Sequence, residues 1–378
     1  MRIGISCYPT FGGSGIVATE LAMSLAAQGD EVHVLSYALP SRLSLARPNL
    51  YFHQVVVPDY PLFEYPPYSL ALASKIAEVA RFQGLDVVHV HYAVPNAVSA
   101  ILARMILAPR PLPVVTTLHG TDVTLIGNDP SYLETTRWAL RESDAVTAVS
   151  AWLRDTTEEQ LGFEEHPIEV IPNFVDPERY ERARSSAGAR RWARPGERIL
   201  VHVSNFRPVK RVLDVLEIFL RVRRAMPARL LFVGDGPDRA KLEKRCRVEG
   251  CCDVVTFLGQ QQAVEEILAG ADLFLLPSEN ESFGLAGLEA QACELPVVGT
   301  AIGGIPEVVE HGTTGLLYPL GDVDAMAAGA IALLSDPVRH RAMARAARER
   351  ALARFAEVDV VGRYRALYER VLAGANGR

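Results

Sequence analysis

Two glutamates eight residues apart, Glu281 and Glu289, are the carboxylates in this sequence best spaced to hold a ligand. Eight helical residues rise about 12 Å, too far for the pair to share one proton or one reacting atom. They can instead grip two ends of one elongated molecule, with the amides of Phe283, Gly284 and Leu285 between them. Those amides open a helix that Ser282 is placed to cap, and a helix start favours an anion. Carboxylates hold hydroxyls and helix starts hold phosphate; a sugar nucleotide carries both.

Other stretches complement this one. Ser204-Asn205-Phe206-Arg207-Pro208-Val209-Lys210-Arg211 sets three cations at the end of an apolar run. Cations fixed there can neutralise a diphosphate leaving group in place of a metal. Gly234-Asp235-Gly236-Pro237 and Leu258-Gly259-Gln260 end further apolar runs with backbone groups able to read a base edge. Gly12-Gly13-Ser14-Gly15 opens the first helix, where glycine lets a ligand approach the backbone. Its spacing is neither the dinucleotide fingerprint nor a P-loop. His119, in Thr116-Thr117-Leu118-His119-Gly120-Thr121-Asp122, ends another strand. His89 and His91 share a strand face and, lacking companion ligands, read as packing. Gly-x-Ser-x-Gly, which a hydrolase would want, is absent.

Positioning these residues calls for alternating strands and helices. Strands are expected at Arg2–Tyr8, Glu31–Ser36, Tyr51–Val57, Asp86–His91, Pro113–Leu118 and Glu169–Ile171, with helices at Ile16–Ala27, Ser69–Phe82 and Asn96–Leu107. The alternation lapses over the Arg-, Ala- and Ser-rich stretch 176–198 and restarts with strands Ile199–Val203, Arg229–Val233, Val254–Leu258, Asp272–Pro277 and Pro296–Gly299. Helices Val212–Ala225, Asp238–Val248 and Ala263–Ala269 lie between them. The expected fold class is α/β: two facing Rossmann-like domains, residues 1–175 and 199–355, joined by linker 176–198 and followed by a helical tail, 356–378. A hinge is expected in the linker. In parallel sheets of this kind ligands bind beyond the carboxyl ends of the strands. The arginines of the C-terminal segment, from Arg339 to Arg354, read as a solvated helix face.

Bulk properties agree with a two-domain globular protein: 378 residues, 49% hydrophobic and 22% charged. A net charge of −6 argues against a nucleic-acid partner. No apolar run approaches the ~20 residues of a membrane span. Met1–Cys7 enters a strand with no signal-peptide layout, and the five cysteines lack zinc-site spacing. A cytoplasmic location follows as an expectation, with Cys251 and Cys252 read as buried thiols. A homo-oligomer is left open.

Taken in order, the glycine-rich first loop, the basic corner ending in Lys210, Gly234–Pro237, the Glu281/Glu289 pair and Gly303-Gly304-Ile305-Pro306-Glu307 resemble the family 4 retaining glycosyltransferases along the whole chain. Cys7-Tyr8-Pro9, Tyr65-Pro66-Pro67-Tyr68, His89-Val90-His91-Tyr92-Ala93, Thr116–Asp122 and His202–Arg207 narrow the resemblance to the members that serve bacillithiol biosynthesis. The resemblance implies the GT-B architecture, no cofactor or metal, UDP-N-acetylglucosamine as donor and L-malate as acceptor, with configuration retained. It implies that Glu281 holds sugar hydroxyls, Glu289 the ribose and Lys210 the diphosphate, with His119 beside the hexose. Lys210, Glu281 and His119 are the candidate catalytic residues. Gly13, Gly15, Asn205, Lys210, Arg211, Leu258, Gly259, Glu281, Ser282, Phe283, Gly284, Leu285 and Glu289 are the candidate donor contacts. Ser14, Tyr92, Thr117 and Asn205 are the candidates for malate. Most members begin the basic corner with Gly-Arg; Ser204-Asn205 stands there in this chain, leaving Arg207 or Arg211 to supply the cation. Two other readings are an enzyme of this family with a lipid or polysaccharide acceptor, and a UDP-sugar epimerase on a similar scaffold.

Overall fold

Short apolar runs bounded by polar turns become parallel strands when helices cover both faces of the sheet. The computed structural model describes residues 1–375 except 11, 60, 165 and 182–187. The described chain divides into two compact units, residues 1–172 with 358–378, and residues 173–357.

The first unit is built on β1 (Arg2–Ser6), β2 (Glu31–Ser36), β3 (Leu50–Gln54), β4 (Val87–His91), β5 (Val114–Leu118), β6 (Ala145–Ala148) and β7 (Ile168–Val170). All pair in parallel in the order β3-β2-β1-β4-β5-β6-β7. Between them run α1 (Gly13–Ala27), α2 (Tyr68–Gln83), α3 (Val98–Leu107), α4 (Thr121–Thr124), α5 (Leu133–Glu142) and α6 (Ala151–Leu161). Leu72 and Ile76 of α2 and Ile101 of α3 pack with Val88, Val90 and Val114 of the sheet. The first helix begins at Gly13, three residues earlier than its apolar pattern predicts, so Gly13, Ser14 and Gly15 form its opening turn.

The second unit repeats the plan. It comprises β8 (Arg198–Val203), β9 (Ala228–Val233), β10 (Val255–Phe257), β11 (Leu273–Leu276), β12 (Val297–Thr300) and β13 (Gly315–Tyr318), parallel in the order β10-β9-β8-β11-β12-β13. Its helices are α7 (Val212–Ala225), α8 (Arg239–Val248), α9 (Val264–Ala269), α10 (Leu285–Ala292), α11 (Ile305–Val308), α12 (Val323–Ser335) and α13 (Pro337–Phe355). Val215 and Phe219 of α7 pack with Phe232, Met326 and Leu333 in the core. Strand β13 has no counterpart in the sequence reading, because its four residues follow a Gly/Thr-rich turn and are too few to show a period.

In each sheet the connection reverses direction once, between β1 and β4 and between β8 and β11. Such switch points are where loops part and leave room for a ligand at the strand ends. The glycine-rich loop and Tyr92 follow β1 and β4; the basic corner and the glutamate stretch follow β8 and β11.

Four expectations change. The contact boundary falls at Pro172/Asn173, before the expected linker 176–198, because Val175 N–H donates to the Phe355 carbonyl and Glu357 N–H to that of Val175. Residues 182–187 of that linker and 376–378 of the expected tail lie outside the described residues. The last helix, α14 (Glu357–Ala375), is no separate tail: Val360, Val361, Tyr364, Leu367 and Tyr368 are buried in the first unit. The arginines of α13 are not all a solvated face either. Arg348 donates to the carbonyls of Tyr180 and Ala292, and Arg350 to those of Val308 and Glu307, so both tie turns together. Finally, Cys251 is buried but Cys252 is exposed.

Candidate active site

The glutamate stretch leaves β11 and turns into α10 through Gly284, whose φ of +91° is the left-handed conformation that glycine adopts without strain. Gly284 is the N-cap and Ser282 is not, correcting the expected cap; the helix opens without a side-chain cap. The first amides of α10, from Leu285 onward, have no partner within the helix. Phe283 turns inward, edge-on to Phe355 at 5.5 Å between centroids, and anchors the turn. Gly303 and Gly304 press on this turn from the other side. A Cβ on Gly303 would collide with the Glu281 carbonyl oxygen, so the close approach requires glycine.

Lys210 and Glu281 are brought together. Lys210 ends a short 3-10 turn, Pro208–Lys210, and its Nζ lies 2.6 Å from Glu281 Oε1. The Ser278 hydroxyl donates to the same oxygen at 3.0 Å. Glu279 N–H donates to the Val209 carbonyl at 2.8 Å, which fastens the glutamate stretch to the basic corner. Arg211 is held differently: its Nε donates to Asp214 at 2.7 Å, while Arg207 is exposed and has no ion pair among the described residues. Arg207 is therefore the most exposed cation of this corner. Glu289 is buried and accepts from the Tyr180 hydroxyl at 2.6 Å.

At the other strand ends Asn205 is partly buried, with its side-chain oxygen wholly covered and unpartnered. Leu258 and Gly259 are partly exposed; the Gly259 carbonyl accepts from Gly234 N–H at 2.7 Å. His202 lies beneath the basic corner, its Nε2 2.8 Å from the Ser204 hydroxyl and its Nδ1 2.9 Å from the Leu275 carbonyl. Burial pushes its pKa down to about 4, so it is neutral at pH 7.

In the first unit α1 points its opening turn toward the ends of β1 and β4. Ser14 donates to the Tyr92 hydroxyl at 3.3 Å, and Thr121 to the same oxygen at 3.1 Å. Gly13 is exposed, whereas Gly15 is buried, its Cβ position only 2.6 Å from the carbonyl oxygens of Tyr8 and Thr10. Gly15 thus serves loop packing, and Gly13 is the glycine a ligand can reach. Thr117 is fully buried, its hydroxyl between His89 Nε2 at 2.6 Å and Thr147 Oγ1 at 2.7 Å. It sits below the strand end as a support and not as a malate contact. The His89 ring continues to the Tyr368 hydroxyl at 2.7 Å, consistent with packing.

His119 is nearly buried, with Nε2 2.8 Å from His91 Nδ1. Asp122, also buried, accepts the backbone N–H of Gly120 at 2.8 Å and of His119 at 3.1 Å. Burial lowers the pKa of His119 and His89 to about 3 and raises that of Asp122 to about 6. Sequence reasoning missed Tyr180, Ser278 and Thr121 as partners of the site. Tyr180 stands in the aperiodic stretch and carries no motif, so nothing in the sequence marks it. Among the described residues no group of three His, Cys, Asp or Glu is arranged to hold a metal, and no helix is long and apolar enough to cross a membrane.

Residues 11–179 match the family model for Glycosyltransferase Family 4, and residues 189–350 that for Glycosyl transferases group 1. The chain is 47% identical to N-acetyl-alpha-D-glucosaminyl L-malate synthase of Bacillus anthracis over 98% of this chain and 97% of that protein. Among solved structures it is similar to sucrose-phosphate synthase from Thermosynechococcus elongatus, with a TM-score of 0.82, 21% identity and coverage of 99% and 100% of the two chains. A glycosyltransferase from Rickettsia africae gives the same TM-score at 20% identity over 98% of both chains. These structural likenesses bear on the fold, two Rossmann-like domains of the GT-B type.

Proposed function

From the premise that this chain belongs to the family 4 glycosyltransferases, we propose that it moves N-acetylglucosamine from UDP-N-acetylglucosamine to the hydroxyl of L-malate, the first step of bacillithiol biosynthesis. The observation that carries this reading is the full-length likeness to the Bacillus anthracis synthase. The alpha linkage in that protein's name, starting from an α-linked donor, means retention of configuration.

In this reading Glu281, steadied by Lys210 and Ser278, grips the sugar hydroxyls. Glu289 grips the ribose, and backbone groups at Leu258 and Gly259 meet the base. Lys210, Arg207 and the first amides of α10 receive the diphosphate, supplying positive charge without a metal or cofactor. In the first unit Gly13 is assigned to the donor and Ser14 and Tyr92 to malate. The C1–phosphate bond breaks as the C1–oxygen bond to malate forms on the same face. The malate hydroxyl proton passes to the departing phosphate oxygen, so no side chain needs to become a nucleophile. The pair Glu281/Glu289 is thus a clamp and not a glycosidase pair flanking one bond. The reaction is assigned to the cytoplasm.

Incubation of the purified protein with UDP-N-acetylglucosamine and a panel of hydroxy acids tests the assignment. UDP release that requires L-malate and yields the α-linked product is expected. Release without malate, or with a different acceptor alone, refutes it.

A further inference from the structure

We propose that His91 is a positioning residue for His119: its Nδ1–H donates to His119 Nε2 and holds His119 in the tautomer that carries its proton on Nδ1. The proposal rests on the placing of His119 in the active site under the assigned reaction.

The two rings meet edge to edge. The nitrogens are 2.8 Å apart, the centroids 5.0 Å apart and the planes 27° from parallel, so the bond runs close to both ring planes, where an imidazole lone pair and N–H lie. Each ring is also held by its own backbone. The Asn96 side-chain amide donates to the His91 carbonyl at 2.5 Å, and Asp122 takes the His119 backbone N–H. The register of β4 and β5 pairs His91 with Thr117 and so sets His119 two residues beyond its partner.

Burial keeps both rings neutral. One proton therefore occupies the bond between them, and two arrangements are available. If His119 donates, His91 must carry its own proton on Nε2. That nitrogen is wholly buried and has no hydrogen-bond partner among the described residues. The nearest ring, His89, offers none, because both its nitrogens are engaged by Tyr368 and Thr117. If His91 donates, the uncovered atom is a lone pair and no N–H is stranded. Buried unmatched N–H groups are the rarer and costlier defect, so the second arrangement prevails. His119 then has its Nε2 lone pair occupied and is no proton acceptor there. What it retains is a neutral Nδ1–H donor. The paired histidines on one strand, read from sequence as packing, thus divide their work: His89 packs and His91 aligns.

Long-range proton–nitrogen correlation spectra of the full ¹⁵N-histidine-labelled chain at pH 7 read the tautomer directly. The expected spectrum shows His119 protonated on Nδ1 and bare on Nε2. His91→Asn, whose amide N–H stands where Nδ1–H was, keeps that pattern. His91→Leu releases it into exchange between tautomers, and kcat for malate-dependent transfer falls by about tenfold or more with KM for the donor little changed. His91→Asn restores most of kcat. Protonation of His119 on Nε2 in the native chain, or an unchanged tautomer in His91→Leu, overturns the proposal. If His91→Leu fails to fold, the native and His91→Asn spectra decide. The expected tautomer in a chain without malate-dependent transfer overturns the assigned reaction and leaves the histidine pairing standing.

Discussion

Lys210 Nζ and the Ser278 hydroxyl both reach Glu281 Oε1, which leaves the second carboxylate oxygen for a ligand. Under the proposed reaction the lysine serves two ends: it orients Glu281 toward the sugar and brings positive charge to the diphosphate. Replacing Lys210 by Ala removes both while leaving the strands β8 and β11 intact. A fall in kcat of about 10²–10³ is expected, the scale for losing one electrostatic contact to developing charge, with an unchanged far-ultraviolet circular dichroism spectrum. A variant within a few fold of the native kcat would separate Lys210 from the chemistry. At this scale the sequence offered candidate groups at the strand ends and was silent about their pairing. The residues Glu281, Lys210 and His119 were readable from type and strand-end position. That Thr117 faces inward was not, because a strand residue reads the same whichever face it takes, and nor was the packing of Gly15, in the opening turn of α1, against Tyr8 and Thr10.

Strands β4 and β5 carry an unusual load for a sheet interior, with His89 and His91 on one and His119 just beyond the other. Burial holds all three below their unfolded pKa near 6.5, and His202 at the end of β8 likewise. The unfolded chain then binds protons that the folded chain does not. Their contribution to stability is full above about pH 6.5 and drains away as the pH falls below it, each with a slope approaching ~1.4 kcal/mol per pH unit. Asp122 runs the other way: its folded pKa is raised to about 6, so its contribution is present at low pH and is lost as the pH rises through 6. In and just beyond β4 and β5 three histidines outweigh one aspartate, against one histidine in β8. Acidification from pH 7 to pH 5 is therefore expected to loosen β4 and β5 more than β8 and β11. Hydrogen exchange followed by mass spectrometry checks this; equal protection losses in both sheets would contradict it. Most of these strands were legible as apolar runs, since a strand buried on both faces has no other way to be written. The four-residue β13 was not, because Gly315–Tyr318 is too short to show a period.

Across the whole molecule the chain passes from the first unit to the second after Pro172 and returns after Glu357. The returning helix α14 is part of the first unit's core. Tyr364 lies 5.2 Å from the His89 ring, Tyr368 bonds to that ring, and Arg365 pairs with the buried Asp30. Its five buried side chains contribute about 1.5–3 kcal/mol each, together comparable with the whole stability of an ordinary domain. A chain ending at residue 357 is expected to lose the cooperative unfolding of the first unit while the second persists, measured by urea titration; two undisturbed transitions would show that α14 is dispensable. Composition and period by themselves determined the α/β alternation, the doubled plan and the strand ends that carry the candidate residues, because those depend on local pattern. The capping of α10 by Gly284, the grip of Tyr180 on Glu289 and the return of α14 beneath His89 were decided by the tertiary structure alone. Each joins groups that no local period connects, up to 279 residues apart in sequence for His89 and Tyr368. Which of them meet is settled only when the sheets are covered and most buried polar atoms have to find a partner.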